Sequence, residues 1–239
     1  MTKANSTELI FLVDRSGSMT AIADDMRGGF DDFIRKQREV PGDCRVSLFR
    51  FDDRFDVVFT SLALSAVPPL ELEPRNTTAL HDAMCRAIDE TGRRFAKMPE
   101  AERPEKVLFI AITDGYENAS REFHAPDVRN RIAVQERDYK WQFIFLGANQ
   151  EAVLVAQDLG IRAGNAATYQ ASRVGTKALF GSMGSNVRRV RKGLVSIDKE
   201  DLFNQASYDA ALADEDKKEP NAPPWPTSAS GTPPVDPKP

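Results

Sequence analysis

Histidine and cysteine are scarce in this 239-residue chain, with two of each: His81, His124, Cys44 and Cys85. Two histidines with no partner constellation exclude a Ser-His-Asp triad, and the shortage of nitrogen and sulfur donors argues against a zinc or copper centre. The cysteines lack both metal-type spacing and a disulfide framework. They are expected to be core thiols in a reducing compartment, the cytoplasm. Neither a GxxxxGK[ST] phosphate loop nor a G-x-S-x-G elbow occurs. No apolar run approaches the roughly 20 residues that span a bilayer. The first run, Leu9 to Val13, stops at an aspartate, and the polar Met1–Glu8 before it does not read as a secretion signal. Charge shows no bias either. The 32 basic and 36 acidic residues leave a net −4, which gives no global attraction for nucleic acid.

A hydrophobic content of 41% with 28% charged residues supports a globular core. Eight of the 15 prolines lie beyond residue 219. That composition predicts a domain over 1–212 and a disordered, proline-rich tail over 213–239, with Trp225 as its one adhesive side chain. Within the domain, Leu9–Val13, Val107–Ile112 and Phe143–Leu146 are short continuous apolar runs suited to central parallel strands. Arg45–Phe51 and Asp56–Leu64 flank the turn-rich Asp52-Asp53-Arg54 and predict a hairpin, hence one antiparallel edge strand. Ala167–Gln170 is a short sixth strand. Ile22, Met26, Phe30 and Phe33 recur at helical spacing, as do Leu80, Met84, Ala87, Ile88 and Phe95. Gly28-Gly29 inside the first pattern predicts close packing of that helix on the sheet. Further helices are expected over 127–139, 151–159 and 174–192, the last ending in Arg188-Arg189-Val190-Arg191-Lys192. That basic run reads as cations complementing a helix C-terminus or as a surface for an anionic partner. Alternating strands and helices predict a three-layer, Rossmann-like α/β fold. Its sheet is six-stranded and mostly parallel, with helices on both faces.

In such a sheet, ligands bind beyond the carboxyl ends of the strands. Asp14-Arg15-Ser16-Gly17-Ser18 follows the first run, Thr113-Asp114-Gly115 follows another, and Arg75–Leu80 with Thr77-Thr78 precedes the second strong helix. Asp14, Ser16 and Ser18 alternate along a tight turn that Gly17 permits. Hydroxyls with one or two carboxylates suit a hard cation, Mg²⁺ by preference with Mn²⁺ or Ca²⁺ as alternatives. An EF-hand is excluded because Met19 stands where glycine is required and Asp25 where the loop needs glutamate.

Asp14-x-Ser16-x-Ser18, Thr78 and Asp114 together resemble the metal-ion-dependent adhesion site of von Willebrand factor type A (VWA) domains. The resemblance covers roughly residues 7–172. Val13–Met19 and Thr78–Ala83 look most like bacterial and phage intracellular members. It implies Ser16 and Ser18 as direct metal ligands, Thr78 as a ligand in the binding-competent state, and Asp14 and Asp114 acting directly or through water. One departure is that Asn76-Thr77 stands where relatives commonly have glycines, which leaves Thr77 as an alternative ligand or cap.

The function implied is a non-enzymatic protein-interaction module whose bound Mg²⁺ takes a carboxylate from an acidic residue of a partner. The alternatives are a nucleic-acid or scaffold role through the basic helix, and a magnesium-dependent phosphotransferase with Asp14 as nucleophile. The last is disfavoured because Ser16 stands where a second aspartate is required, and Lys106 begins its strand at the wrong end of the sheet.

Overall fold

The continuous apolar runs become the centre of a six-stranded sheet. The computed structural model describes residues 2–148, 151–195 and 201–218. Strands β1 (Lys3–Asp14), β2 (Asp43–Phe51), β3 (Phe55–Ala63), β4 (Pro104–Thr113), β5 (Gln142–Gly147) and β6 (Ala166–Thr168) lie in the order β3-β2-β1-β4-β5-β6. Every neighbouring pair is parallel except β2 with β3, the hairpin at one edge.

Successive residues of a strand point to opposite faces, so an unbroken apolar run feeds two cores at once. Leu9, Phe11, Val13, Leu108, Ile110 and Ile144 enter one core, with side chains of α1 (Ala23–Arg38) and α5 (Arg173–Arg191). Ile10, Leu12, Phe109, Ala111, Phe143 and Phe145 enter the other, with α2 (Leu80–Ala96), α3 (Ala125–Tyr139) and the short α4 (Ala152–Asp158). Each fully buried Val, Leu, Ile or Phe among them contributes about 1.5–3 kcal/mol. The fold is the three-layer α/β arrangement expected from the sequence.

Three details differ from the sequence reading. The close approach on α1 is to another helix, not to the sheet. A Cβ on Gly29 would overlap the Phe180 ring of α5, whereas one on Gly28 would meet nothing within 4 Å among the described residues. In the basic run, Arg191 is buried and donates to the carbonyls of Gln37 (2.7 Å) and Val40 (2.9 Å), so it fastens α5 to the C-terminal end of α1. A further helix, α6 (Gln205–Lys218), follows α5. The boundary expected at 212 falls inside this helix, and the proline-rich stretch from residue 219 lies outside the described residues. The Gln205 carboxamide accepts from Thr168 N (2.8 Å) and donates to Thr168 O (3.0 Å), which pairs α6 with the backbone of β6. Tyr208 adds a phenol oxygen that accepts from Gln170 N (2.8 Å).

Candidate metal centre

β1 and β4 are adjacent, yet the chain leaves them in opposite directions, β1 toward β2 and β4 toward β5. The crevice of an open α/β sheet forms at such a reversal, and Asp14 and Asp114 stand on its two sides. Asp14 is fully buried. Its Oδ1 accepts from the Ser16 amide (2.6 Å), and its Oδ2 accepts from the Thr113 hydroxyl (2.6 Å). The Ser16 and Ser18 hydroxyls are 3.0 Å apart, and Ser18 donates to Asp114 Oδ1 (2.6 Å). Alternate residues of the 14–18 turn thus reach one point, as their spacing predicts.

The third loop is drawn in by backbone hydrogen bonds from Gly17 N to Asn76 O (3.0 Å) and from Arg75 N to Arg15 O (2.8 Å). Asn76 has φ of 59°, the left-handed conformation that glycine ordinarily supplies and asparagine tolerates. This accounts for the absence of glycine there. Thr77 is exposed and Thr78 buried. Asn118 clamps Thr78 through two bonds: its side-chain oxygen accepts from Thr78 N (2.9 Å), and its backbone N–H donates to Thr78 O (3.0 Å). Gly115 shows where the loops meet. A Cβ there would lie 3.0 Å from Thr78 Oγ1, 3.4 Å from Ser18 Oγ and 3.8 Å from Ser16 Oγ. The structure brings together all five residues singled out in the sequence.

No family model and no curated protein matches the sequence. Solved structures do match in fold. A von Willebrand factor type A protein from Catenulispora acidiphila aligns over 77% of this chain and 43% of its own at 15% identity, with TM-score 0.51. Proximal thread matrix protein 1 of the mussel byssus, in a form with a zinc-occupied MIDAS motif, aligns over 76% and 46% at 14% identity, TM-score 0.52. The pilus adhesin SpaC of Lactobacillus rhamnosus GG, in its open conformation, aligns over 77% and 30% at 13% identity, TM-score 0.56. The chain folds as a VWA domain. It spans less than half the length of each of these three proteins.

The donor set where the loops meet is all oxygen: the hydroxyls of Ser16, Ser18 and Thr78 with the carboxylates of Asp14 and Asp114. No cluster of three or more His, Cys, Asp or Glu side chains able to hold a metal occurs among the described residues. A site rich in hydroxyls and short of carboxylates fits a hard cation that keeps some of its water. The electrostatics fit as well. Burial pushes the Asp14 carboxyl up to about 6, against the hydrogen bonds from Thr113 and Ser16, and Asp114 adds to the rise. Burial also raises Asp114, opposed by the Ser18 hydrogen bond. Neither carboxylate has an ion-pair partner among the described residues. Beneath them, Tyr169 Oη is fully buried with no hydrogen-bond partner among the described residues. Burial, then the charges of Asp114 and Asp14, push this phenol well above its ordinary range.

Supporting residues carried weaker signals in the sequence. Thr113 and Asn118 orient Asp14 and Thr78, and Thr113 was visible only as the residue before Asp114. Asp52, read as part of a turn, is buried and accepts from Arg75 Nε (2.6 Å) while lying 3.1 Å from Arg15 Nε. Burial opposes its ionisation, but Arg75, the Arg54 amide and Arg15 hold its carboxyl below the usual range. It therefore ties the Asp14–Ser18 loop to the Arg75–Thr78 loop. Glu117 and Ser120 cap α2 from outside by accepting from His81 N (2.9 Å) and Asp82 N (3.1 Å). Asp82, in the first turn of that helix, accepts from the amides of Arg121, Glu122 and Phe123. His81 lies 3.7 Å from Glu117 Oε2, and His124 precedes α3, where its amide donates to Asp127 Oδ2 (2.9 Å). Cys44 and Cys85 are buried free thiols, both pushed up to about 12 chiefly by burial.

Proposed function

We propose that this VWA domain is a metal-dependent interaction module, with Mg²⁺ held by Ser16, Ser18 and Thr78 and supported by Asp14 and Asp114. The observation that carries the reading is the convergence of three hydroxyls from two loops beside two carboxylates, Asp14 buried and Asp114 half-buried, that have no ion-pair partner among the described residues. When bound, the metal supplies a Lewis-acidic position that an aspartate or glutamate of a partner protein can fill. The chain's own residues prepare that position. Thr113 and the Ser16 amide fix both oxygens of Asp14, and Asn118 holds Thr78, rather than Thr77, toward Gly115. Gly115 leaves the meeting point open. The mussel protein's zinc-bearing MIDAS supports divalent binding on this fold, and the pilus adhesin supports a role in adhesion or interaction.

A binding role is favoured over catalysis. Lys106, the side chain a phosphotransferase would need, bonds instead to the Val190 carbonyl (3.1 Å) at the far end of the sheet. A nucleic-acid role through the basic helix has less to stand on than the sequence suggests, because Arg191 is buried and committed to α1 and only Arg188, Arg189 and Lys192 of the run are exposed. Titration calorimetry with Mg²⁺ is expected to show one site that Asp14→Ala and Ser16→Ala both abolish. Partner capture from native lysate should then be lost on adding EDTA. Unchanged Mg²⁺ binding in both variants, or capture indifferent to EDTA, would overturn the reading. Among the described residues no helix is long and apolar enough to cross a membrane.

A further inference from the structure

The apolar stripes of α2 and α3 are both interrupted. Four residues on from Ile88 comes Gly92, and three on from Ile132 comes Gln135, so at that level neither helix offers a large apolar side chain. A Cβ on Gly92 would meet Gln135 Nε2 at 3.6 Å and nothing nearer. The result is a cavity of about 540 Å³ between the C-terminal halves of the two helices, beside Pro104 and Val107 at the amino end of β4. It therefore lies at the opposite end of the sheet from Asp14 and Asp114.

Ile88, Phe95, Val107 and Trp141 line the cavity and are buried. Trp141 is held edge-on by Phe95 (ring centroids 5.6 Å) and stacked on Phe143 (6.2 Å), so the floor is formed in advance. Val134 and Tyr139 of α3 carry the apolar surface up to an exposed mouth. A cleft of roughly 300–1,000 Å³ with mostly apolar walls and few polar groups suits a small molecule.

The charges in the wall indicate which kind. Asp89 is paired with Arg131 (3.0 Å) and Arg93 with Glu90 (2.6 Å). Arg103 makes no ion pair among the described residues, and its guanidinium donates to the carbonyls of Met98 (3.1 Å) and Ala96 (3.4 Å). A guanidinium carries more donors than those two bonds use, and an anion is its strongest acceptor. We propose that the α2–α3 cavity binds a small planar apolar molecule bearing an acidic group, its rings against Phe95 and Trp141 and its anion at Arg103.

Trp141 can report on this, because Trp225→Ala removes the only other tryptophan. Titration of that full-length variant with anilinonaphthalene sulfonate, a planar apolar anion, is expected to show one saturable site with blue-shifted emission sensitised by Trp141. Gly92→Leu, whose Cβ has room, is expected to fill the cavity and weaken the probe about tenfold or more, with a cooperative melt retained. Val134→Glu, at the exposed mouth, should weaken it as well. Arg103→Gln is expected to cost the anionic probe about tenfold, the scale of a hydrogen bond to a charged group, and to leave neutral phenylnaphthylamine unchanged. Absence of a saturable site overturns the proposal, as does probe affinity indifferent to both Gly92→Leu and Val134→Glu. Equal losses for the two probes in Arg103→Gln overturn the acidic group. Probe binding found only where sedimentation shows a dimer assigns the apolar mouth to a second copy and overturns the small-molecule site.

Discussion

Two carboxylates on β1 have opposite surroundings. Glu8, 1% exposed, accepts from Arg94 (2.8 Å) and Ser47 (2.7 Å) on one oxygen and from Ser61 (3.1 Å) on the other. Six residues later Asp14, 0% exposed, has only a hydroxyl and an amide for company. Taking a charge out of water is tolerated when an opposite charge and hydrogen bonds replace the solvent. At the amino end of the strand α2 supplies that compensation, and at the carboxyl end none is supplied among the described residues. On the function proposed above, the charge left uncompensated is the one that a cation from outside would complete.

The largest expected effect tests the completed end. Arg94→Met leaves Glu8 buried without its cation and is expected to destabilise the fold by about 3–5 kcal/mol in urea denaturation. At the other end the sign reverses. Asp14→Asn removes an uncompensated charge and is expected to stabilise the metal-free protein at pH 7 by up to about 3 kcal/mol, the equivalent of a shift from 3.8 to about 6. The same variant should lose the rise in Tm that Mg²⁺ gives the parent. Equal losses at both ends would dissolve the contrast.

The pH dependence sharpens it. Because the pKa of Asp14 is raised on folding, its contribution to stability is present below 3.8 and lost as pH rises through about 6. Melting temperatures of the metal-free parent, referred to Asp14→Asn, should therefore fall across that window. Saturating Mg²⁺, which binds the ionised form, should remove the fall. A smaller effect is expected from Gly115→Ala, whose methyl would crowd Thr78 Oγ1 and Ser18 Oγ. Mg²⁺ affinity by calorimetry should drop about tenfold, the scale of changes to a metal's surroundings. The smallest belongs to Tyr169→Phe. Removing an unpaired buried hydroxyl should leave Tm level or slightly raised, while Mg²⁺ affinity falls about threefold if that hydroxyl serves the site.

The sequence made the site more legible than its supports, and the reason is distance along the chain. Asp14, Ser16 and Ser18 announce themselves through alternation within five residues, and β1, β4 and β5 through unbroken apolar runs that only a strand covered on both faces can bury. Arg94 and Glu8 are 86 residues apart, Asp52 and Arg75 are 23 apart, and neither pair leaves a local pattern. Gly29 showed that something comes close but not what, because periodicity places a residue on a helix face without naming the neighbour. Helix α6 was missed for a different reason. Tyr208 is its one buried side chain and only Ala211 and Leu212 join it, partly buried, against the core, an apolar stripe too short to stand out from the acidic run beyond. It is held by the core packing of Tyr208, Ala211 and Leu212 and by polar contacts of Gln205 and Tyr208 that hydrophobic spacing does not record.

The amide of Gln205 also fixes how this protein can assemble. A strand at the margin of a sheet invites another chain to pair with it unless it is short, charged or covered. β6 is three residues long, and at Thr168 its outward donor and acceptor are already satisfied by one side chain. Growth of the sheet by adding strands beyond β6 is thereby blocked at that flank, so fibre-like stacking from this side meets a closed border.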